Sequence, residues 1–171
     1  MRTFFSLSIP PSCALAIEQW RQLNWPLLTH CVPTANYHIT LVFTGEISRQ
    51  QIEILHDSVS SISLPIFDLD MNTLGFWQKS GIFWLGNSLI PEPLESLVKQ
   101  LNKRCSQAGV SLASREFVPH ITLARRCEEL PLPPLVEPGF SFPVVDFSLM
   151  ESTNTNHGVV YKEVFSFDLD S

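Results

Sequence analysis

The sequence predicts an α+β fold built on antiparallel sheet. Strand-like and helix-like segments are mixed along its 171 residues, and short turns join several pairs of strands. This order favours hairpins over a doubly wound parallel sheet, and the sequence contains no glycine-rich phosphate loop. In addition, the residues His-Ile-Thr-Leu occur twice, at positions 38–41 and 120–123. A repeat with this spacing that is present in two copies indicates two related halves.

Apolar periodicity and turn residues locate the individual elements. In the first half they predict strands over 3–9, 37–44 and 65–71, helices over 12–24 and 48–61, and a loop over 25–36. A hairpin follows, in which the segments 74–77 and 82–85 flank a turn at 78–81. In the second half they predict a helix over 91–109, a short strand within 110–118, the strand of the second motif, a proline-rich loop over 131–138, and strands over 142–152 and 159–168 joined by a turn-rich segment.

The composition is that of a globular chain, with 44% hydrophobic and 16% charged residues. No apolar run approaches the length of about 18 residues that a membrane helix needs, and Pro10 and Pro11 interrupt the N-terminal apolar stretch, which favours a first strand over a signal peptide. The formal net charge of −6 argues against a broad phosphate-backbone binder but allows a pocket for one phosphate. The four cysteines form no C-x-x-C pair, so we expect reduced thiols and a cytoplasmic location.

The repeated motif places the same chemistry on two strands. Side chains alternate between the faces of a strand, so His38 and Thr40 share one face while the Ile and Leu of the motif anchor the other. The second copy gives His120 and Thr122 the same arrangement. Two imidazoles that face one cleft form an acid–base pair that works near neutral pH, and threonine hydroxyls can donate to phosphoryl oxygens. These four residues are therefore the candidate catalytic set.

A metal centre is the first alternative for paired histidines. A catalytic zinc site uses three protein ligands, and a structural zinc site uses four. Each motif supplies one His, and no carboxylate or cysteine lies beside it at ligand spacing. Threonine is a poor zinc ligand. The sequence therefore predicts neither a metal nor a cofactor.

Other residues near the motifs are weaker candidates. Arg125 and Arg126 follow the second motif, where a guanidinium can hold a phosphate with two hydrogen bonds; a solvated strand end is the alternative. His56 falls on the apolar face of a predicted helix, and His30 and His157 fall in loops, so we expect structural or solvated roles for them. Five aromatic side chains can either stack a nucleobase or belong to the core: Tyr37, Phe43, Phe117, Trp77 and Trp84.

The flanks of the two motifs carry a resemblance to a known family. The first block contains Val32-Pro33, Asn36-Tyr37-His38-Ile39-Thr40-Leu41 and Phe43-Thr44-Gly45-Glu46. The second block is Phe117-Val118-Pro119-His120-Ile121-Thr122-Leu123-Ala124-Arg125. The opening Arg2-Thr3-Phe4-Phe5, the middle hairpin and the closing strands agree as well. Over essentially its whole length the chain resembles the 2H phosphoesterase superfamily, in particular the LigT/ThpR-type RNA 2′,3′-cyclic phosphodiesterases once called 2′-5′ RNA ligases.

The resemblance implies a bilobal LigT-like fold, with two pseudo-symmetric lobes of antiparallel sheet, outer helices and a central cleft. Residues 1–171 then form a single domain with one motif in each lobe. The implied activity is metal-independent hydrolysis of a 2′,3′-cyclic phosphate to a 2′-phosphate, with a reversible 2′-5′ joining of RNA halves as an associated reaction. The implied partner is an RNA end or a nucleotide that carries a 2′,3′-cyclic phosphate, with no membrane involved. We expect a monomer.

The same resemblance assigns roles to the candidate residues. By analogy with the family, His38 is the proton donor to the leaving 3′ oxygen, and His120 is the proton acceptor that activates water. Thr40 and Thr122 donate hydrogen bonds to the non-bridging oxygens. Because the two motifs are identical in sequence, the motifs themselves do not distinguish the acid from the base. Three further residues are substrate- or phosphate-binding candidates: Arg125, Tyr37 and Phe117.

Two features depart from the family pattern. Val42 stands where relatives often carry arginine, and the segment after Arg126 is rich in proline and in the acidic residues Glu128, Glu129 and Glu137. Together with the net charge of −6, these features favour a cyclic phosphodiesterase for small nucleotides as the main alternative to an RNA enzyme. An alternative of another class is a non-catalytic module that binds RNA ends or nucleotides, against which the intact His and Thr pairs argue.

Overall fold

The computed structural model describes residues 1–171 and confirms the α+β fold class. Its three α-helices are α1 (Pro11–Asn24), α2 (Arg49–Val59) and α3 (Glu92–Gln107), and a short 3₁₀ helix spans Thr34–Asn36. Its nine strands are β1 (Arg2–Ser8), β2 (His38–Glu46), β3 (Phe67–Met71), β4 (Thr73–Trp77), β5 (Ile82–Gly86), β6 (His120–Ala124), β7 (Phe140–Val144), β8 (Asp146–Thr155) and β9 (Gly158–Asp168).

All neighbouring strands pair antiparallel, as predicted. A four-stranded sheet has the order β2-β1-β8-β9, and a three-stranded sheet has the order β4-β5-β6, while β3 and β7 form a separate pair. The four-stranded sheet therefore combines strands from both ends of the chain. The two motif strands, β2 and β6, are edge strands of different sheets, and they contact each other. This contact brings the two halves of the repeat together.

The helices begin where the sequence signals predict, and they pack against the four-stranded sheet and the β3–β7 pair. Prolines occupy the first turn of α1 and of α3, and Ser48 and Gln51 form a capping box at the start of α2. The first helix packs against β7, whereas α3 packs against α2 and β2. Buried apolar residues of the sheets and helices form one cluster of 35 residues, so both motif strands rest on a shared core. None of the helices is long and apolar enough to span a bilayer.

The structure corrects two element predictions. The predicted strand over 142–152 is in fact two strands, because the chain leaves the β3–β7 pair at Val144 and enters the four-stranded sheet at Asp146. Pro143 has no N–H to donate, which suits the outer position of β7 in a two-stranded pair. The short strand expected within 110–118 does not form. This segment instead runs as irregular backbone beside the cleft, where several of its residues contribute to the lining.

Candidate active site

The motif strands present their histidines and threonines to one cleft. In β2, Ile39 is fully buried, and in β6, Ile121 is fully buried, so the opposite face of each strand is turned outward. His38, Thr40, His120 and Thr122 all line a cleft of about 1060 Å³ between the two strands. The predicted alternation of the motif is therefore confirmed: its apolar residues anchor the strands, and its polar residues share one cavity.

Both imidazoles are oriented by the same backbone contact. The Nδ1 atom of His38 lies 2.7 Å from the carbonyl oxygen of Asn36, and the Nδ1 atom of His120 lies 2.7 Å from the carbonyl oxygen of Val118. A carbonyl oxygen can only accept a hydrogen bond, so each Nδ1 carries the proton and donates it. In the neutral ring, Nε2 then holds the free lone pair. Each His therefore has Nε2 available for proton transfer.

The two His–Thr pairs differ in detail despite their identical sequence. The Nε2 atom of His38 lies 3.0 Å from the Oγ1 atom of Thr40, within hydrogen-bond distance. The corresponding pair, His120 and Thr122, makes no such hydrogen bond. Since Nδ1 of His38 donates to the backbone, the Thr40 hydroxyl is the donor to neutral Nε2. The asymmetry that the sequence lacks is therefore present in the structure.

Aromatic rings hold each imidazole from the side. Tyr161, on β9, meets His38 with ring centroids 4.9 Å apart and an interplanar angle of 75°, and Phe4 meets His38 at 5.2 Å. Trp77, on β4, meets His120 at 4.6 Å and 80°, with Trp84 at 5.9 Å. The His38 ring thus packs against a phenol and a phenyl ring, and the His120 ring packs against two indoles.

Burial favours the neutral form of both imidazoles, because a charged ring loses more hydration than a neutral one. Burial is the largest cause that lowers the pKa of His38 below its ordinary value; the hydrogen bond to Asn36 raises this pKa, and the charges of Arg125 and His120 lower it. Burial likewise lowers the pKa of His120, with an opposing contribution from Val118 and a lowering one from Arg125. Arg125 therefore acts electrostatically on both rings.

The cleft concentrates positive charge on an acidic protein. Arg2, Arg115 and Arg125 line it, and Glu116 is the single acidic residue among the lining residues, which gives a formal net charge of +2. Since the whole chain carries −6, the residues outside the cleft carry −8. An anionic ligand is thus attracted to the cleft and repelled by the remaining surface.

Among the weaker candidates, Arg125 and Phe117 line the cleft, whereas the structure corrects the position of Tyr37. Tyr37 is only 6% exposed and belongs to the hydrophobic core, so it is not positioned to bind a substrate in the cleft. Phe43 is 59% exposed at the cleft, where its ring remains available to a ligand. Arg126 is exposed and lies outside the cleft lining.

The remaining histidines are distributed largely as expected. His30 is exposed in a loop, although it also lines the cleft, and its carbonyl oxygen accepts a hydrogen bond from the N–H of Arg125. His56 packs against Phe165 with ring centroids 4.3 Å apart, and His157 is exposed in the turn between β8 and β9.

Sequence reasoning missed Tyr161 as a neighbour of His38. The residue lies 123 positions after His38 and reaches it only because β9 joins the same sheet through β8 and β1. No local pattern signals this contact. Of the two tryptophans that the sequence offers for nucleobase stacking, Trp77 lines the cleft and Trp84 does not; the two rings contact each other and His120.

Comparison with known proteins agrees with this architecture. The profile of the family described as LigT like Phosphoesterase matches residues 8–84 and again residues 85–161. The RNA 2′,3′-cyclic phosphodiesterase of Escherichia coli (strain K12) is 33% identical over 156 residues, which cover 89% of this chain and 87% of that relative. The RNA 2′,3′-cyclic phosphodiesterase of Bacillus subtilis (strain 168) is 29% identical over 177 residues, covering 97% of this chain and 95% of that relative.

Solved structures show the same fold. The crystal structure of E. coli LigT complexed with 3′-AMP superposes with a TM-score of 0.92 at 31% sequence identity, and the match covers 99% of this chain and 98% of that chain. The two profile matches together span most of the chain and place one motif in each. The chain belongs to the LigT like Phosphoesterase family.

Proposed function

We propose that this protein is an RNA 2′,3′-cyclic phosphodiesterase, which hydrolyses a terminal 2′,3′-cyclic phosphate to a 2′-phosphate. The observation that carries this proposal is the pair of imidazoles in one cleft, each with Nδ1 bound to a backbone carbonyl, so that Nε2 is the nitrogen that exchanges a proton. Relatives named RNA 2′,3′-cyclic phosphodiesterase, which match over most of the chain, support the choice of substrate.

The reaction divides its two proton transfers between the histidines. His120 accepts a proton from water at Nε2 as the water oxygen attacks phosphorus. The bond between phosphorus and the 3′ oxygen breaks, and His38 delivers the proton from its Nε2 to that oxygen. A 2′-phosphate and a free 3′-hydroxyl result. His38 then regains a proton from solvent and His120 returns one, so the enzyme is restored without a cofactor.

The threonines and Arg125 supply donors to the phosphoryl oxygens. Thr40 and Thr122 lie two residues beyond the histidines on the same strand faces, where their hydroxyls can point at the non-bridging oxygens. In its resting arrangement the Thr40 hydroxyl is bound to His38; when that imidazole becomes protonated, the hydroxyl is free to turn to the phosphate. Arg125 adds a positive charge at the same cleft.

A small cyclic nucleotide is the second candidate substrate, and the burial of Val42 bears on it. Val42 is only 6% exposed, but it lines the cleft, so a valine in place of arginine leaves one positive charge fewer at the cleft wall. The three arginines of the lining keep the cleft positive even though the chain is acidic. Three arginines exceed what one terminal phosphate needs and can contact further backbone phosphates, which supports an RNA end over a free nucleotide. A cytoplasmic location, a monomeric state and the joining of RNA halves stay predictions.

Product analysis tests the proposal directly. A defined oligoribonucleotide ending in a 2′,3′-cyclic phosphate is incubated with the protein, and its 2′-phosphate and 3′-phosphate products are separated. We expect the 2′-phosphate alone, and the corresponding cyclic mononucleotide should react with a lower kcat/KM. A 3′-phosphate product would contradict the assigned leaving group. Tight binding of the 2′-phosphate product without any turnover would show a binding module instead.

A further inference from the structure

Trp84 occupies a position on the cleft side of β5 that two glycines make available. Trp84 pairs with Gly75 on β4 and with Thr122 on β6. Gly86 lies two residues further along β5 and pairs with His120. A Cβ atom added at either glycine would overlap the Trp84 indole. The missing side chains therefore let the large indole lie over Gly75 of β4 and Gly86 of its own strand. The glycines of the middle hairpin thus have a steric role in seating this tryptophan.

The seated indole supports a second tryptophan, which contacts the histidine. Trp77 packs on Trp84 with ring centroids 5.0 Å apart and an interplanar angle of 41°. Trp77 in turn meets His120 at 4.6 Å, nearly perpendicular, while Trp84 meets His120 at 5.9 Å. Both distances fall within about 6 Å, the range in which an indole attracts a cation. His120 thus has two indoles within the distance of a cation–π interaction, while its other side remains open to the cleft.

We infer that the Trp77–Trp84 pair, seated on Gly75 and Gly86, positions the His120 ring and stabilises the imidazolium that forms when His120 accepts a proton. This inference rests on the proposed function, in which His120 is the base. The indoles do not touch the reacting atoms, so both are positioning residues. They act on His120 more strongly than Tyr161 and Phe4 act on His38, because an indole attracts a cation better than a phenol or a phenyl ring does.

Other charged groups act on His120 in the opposite direction. Arg125, at the end of β6, lowers the pKa of His120, and His38, across the cleft on β2, carries a positive charge whenever it is protonated. The contacts from β4 and β5 come from uncharged indoles. The tryptophan pair therefore acts together with the Val118 hydrogen bond against these charges, and its removal leaves the hydrogen bond to oppose them alone.

The test measures the protonation of His120 in the free protein. NMR titration of the imidazole signals is compared between wild type and Trp77→Leu, a change that keeps an apolar side chain but removes the π face. We expect the pKa of His120 to fall while the pKa of His38 changes less. In turnover of an RNA 2′,3′-cyclic phosphate, kcat should fall about tenfold with KM nearly unchanged. The acidic limb of the pH–rate profile that belongs to the base should move in the same direction as the pKa of His120.

Two further variants separate positioning from general damage. Gly75→Ala keeps every aromatic residue but forces Trp84 to shift, and it should also lower the pKa of His120 and kcat. Phe43→Leu removes an exposed aromatic residue of the cleft that contacts neither histidine, and it should leave the pKa of His120 unchanged. Thermal unfolding checks that each variant is folded; if Trp77→Leu does not fold, Gly75→Ala decides the question.

An unchanged or raised pKa of His120 in the folded variants would overturn the inference. Because the titration needs no substrate, this outcome is distinguishable from failure of the proposed function. A protein without phosphodiesterase activity could still show the shift in His120, whereas an active protein without the shift would contradict the tryptophan role alone.

Discussion

The Nε2 atom of His38 lies 3.0 Å from the Oγ1 atom of Thr40, and this hydrogen bond has no counterpart in the second motif. The sequence of the two motifs is identical, so the difference arises from their surroundings. A hydroxyl that donates to the Nε2 lone pair stabilises the neutral imidazole. The hydrogen bond therefore favours the neutral form of His38. His120 has no corresponding hydroxyl at its Nε2.

The threonines should consequently be unequal under mutation. Thr40→Val and Thr122→Val each remove a donor to the phosphoryl oxygen, and we expect each to lower kcat by about 10²-fold or more. Thr40→Val also frees Nε2 of His38, so the pKa of His38 should rise, and the limb of the pH–rate profile due to His38 should move to higher pH. Thr122→Val should lower the rate without this shift. Thr40→Ser, which keeps the hydroxyl, is the matched control; equal profiles for both Val variants would contradict the assignment.

The histidines should be individually essential for turnover. General acid–base catalysis contributes about 10²–10⁴-fold, so His38→Ala and His120→Ala should each lose at least about 10²-fold in kcat on an RNA 2′,3′-cyclic phosphate. Both rings are partly exposed at the cleft, and the fold should survive, as circular dichroism and thermal unfolding can verify. His157→Ala, which changes an exposed turn residue, serves as the control. Near-normal turnover in either cleft variant would remove the acid–base pair from the mechanism.

The sequence predicts the parts of the site that depend on local geometry. Strand alternation alone places Ile39 and Ile121 in the core and the motif histidines on the opposite face, as the burial confirms. The same alternation applies to Tyr37, which lies two residues before Ile39 and is buried with it. The position of Tyr37 next to the motif predicts a role in substrate binding, whereas its alternation with His38 predicts burial. Tyr37 lies on the same face as Ile39 and Leu41, and this alternation correctly predicts that it is buried.

The parts that the sequence does not predict depend on which strands become neighbours. Tyr161 reaches His38 through three strand pairings, and the break near Val145 becomes visible only when β7 and β8 are seen to join different sheets. The Trp84 position depends on Gly75, a residue on another strand whose lack of a side chain matters only once the register is known. Contacts of this kind join residues that are far apart in sequence, so apolar periodicity along the chain does not predict them.

The pH dependence should be displaced toward acid. Burial lowers the pKa of both imidazoles, and Arg125 lowers both further. Catalysis needs one histidine protonated and the other neutral, and in the free enzyme this state is most populated between the two lowered pKa values. The bell-shaped profile of kcat/KM should therefore have its maximum below about pH 6.5, the ordinary pKa of histidine. A maximum above pH 7 would contradict this assignment of burial effects.

Turnover should not depend on a metal ion. The two histidines supply the proton transfers, and Thr40, Thr122 and Arg125 supply donors and positive charge, so the reaction has the groups that it requires. We expect kcat and KM to be unchanged after dialysis against EDTA. Addition of Zn²⁺ should not raise the rate, and the same protocol applied to a zinc-dependent phosphodiesterase provides the control. Loss of activity in EDTA followed by recovery with Zn²⁺ would instead favour a metal centre.

Arg125 should affect both substrate binding and the two histidines. Its charge lowers the pKa of both rings, and it lines a cleft that carries net positive charge in an acidic chain. In Arg125→Gln, the pKa values of His38 and His120 should both rise, and the maximum of kcat/KM should move to higher pH. KM should increase, and it should depend less steeply on salt concentration, because one cationic contact is lost.

Arg126→Gln is the matched control. Arg126 is exposed and lies outside the cleft lining, so its substitution should change neither the pKa values of the histidines nor KM. Equal effects of the two substitutions would show that the general charge of this segment, rather than the cleft position of Arg125, controls the site.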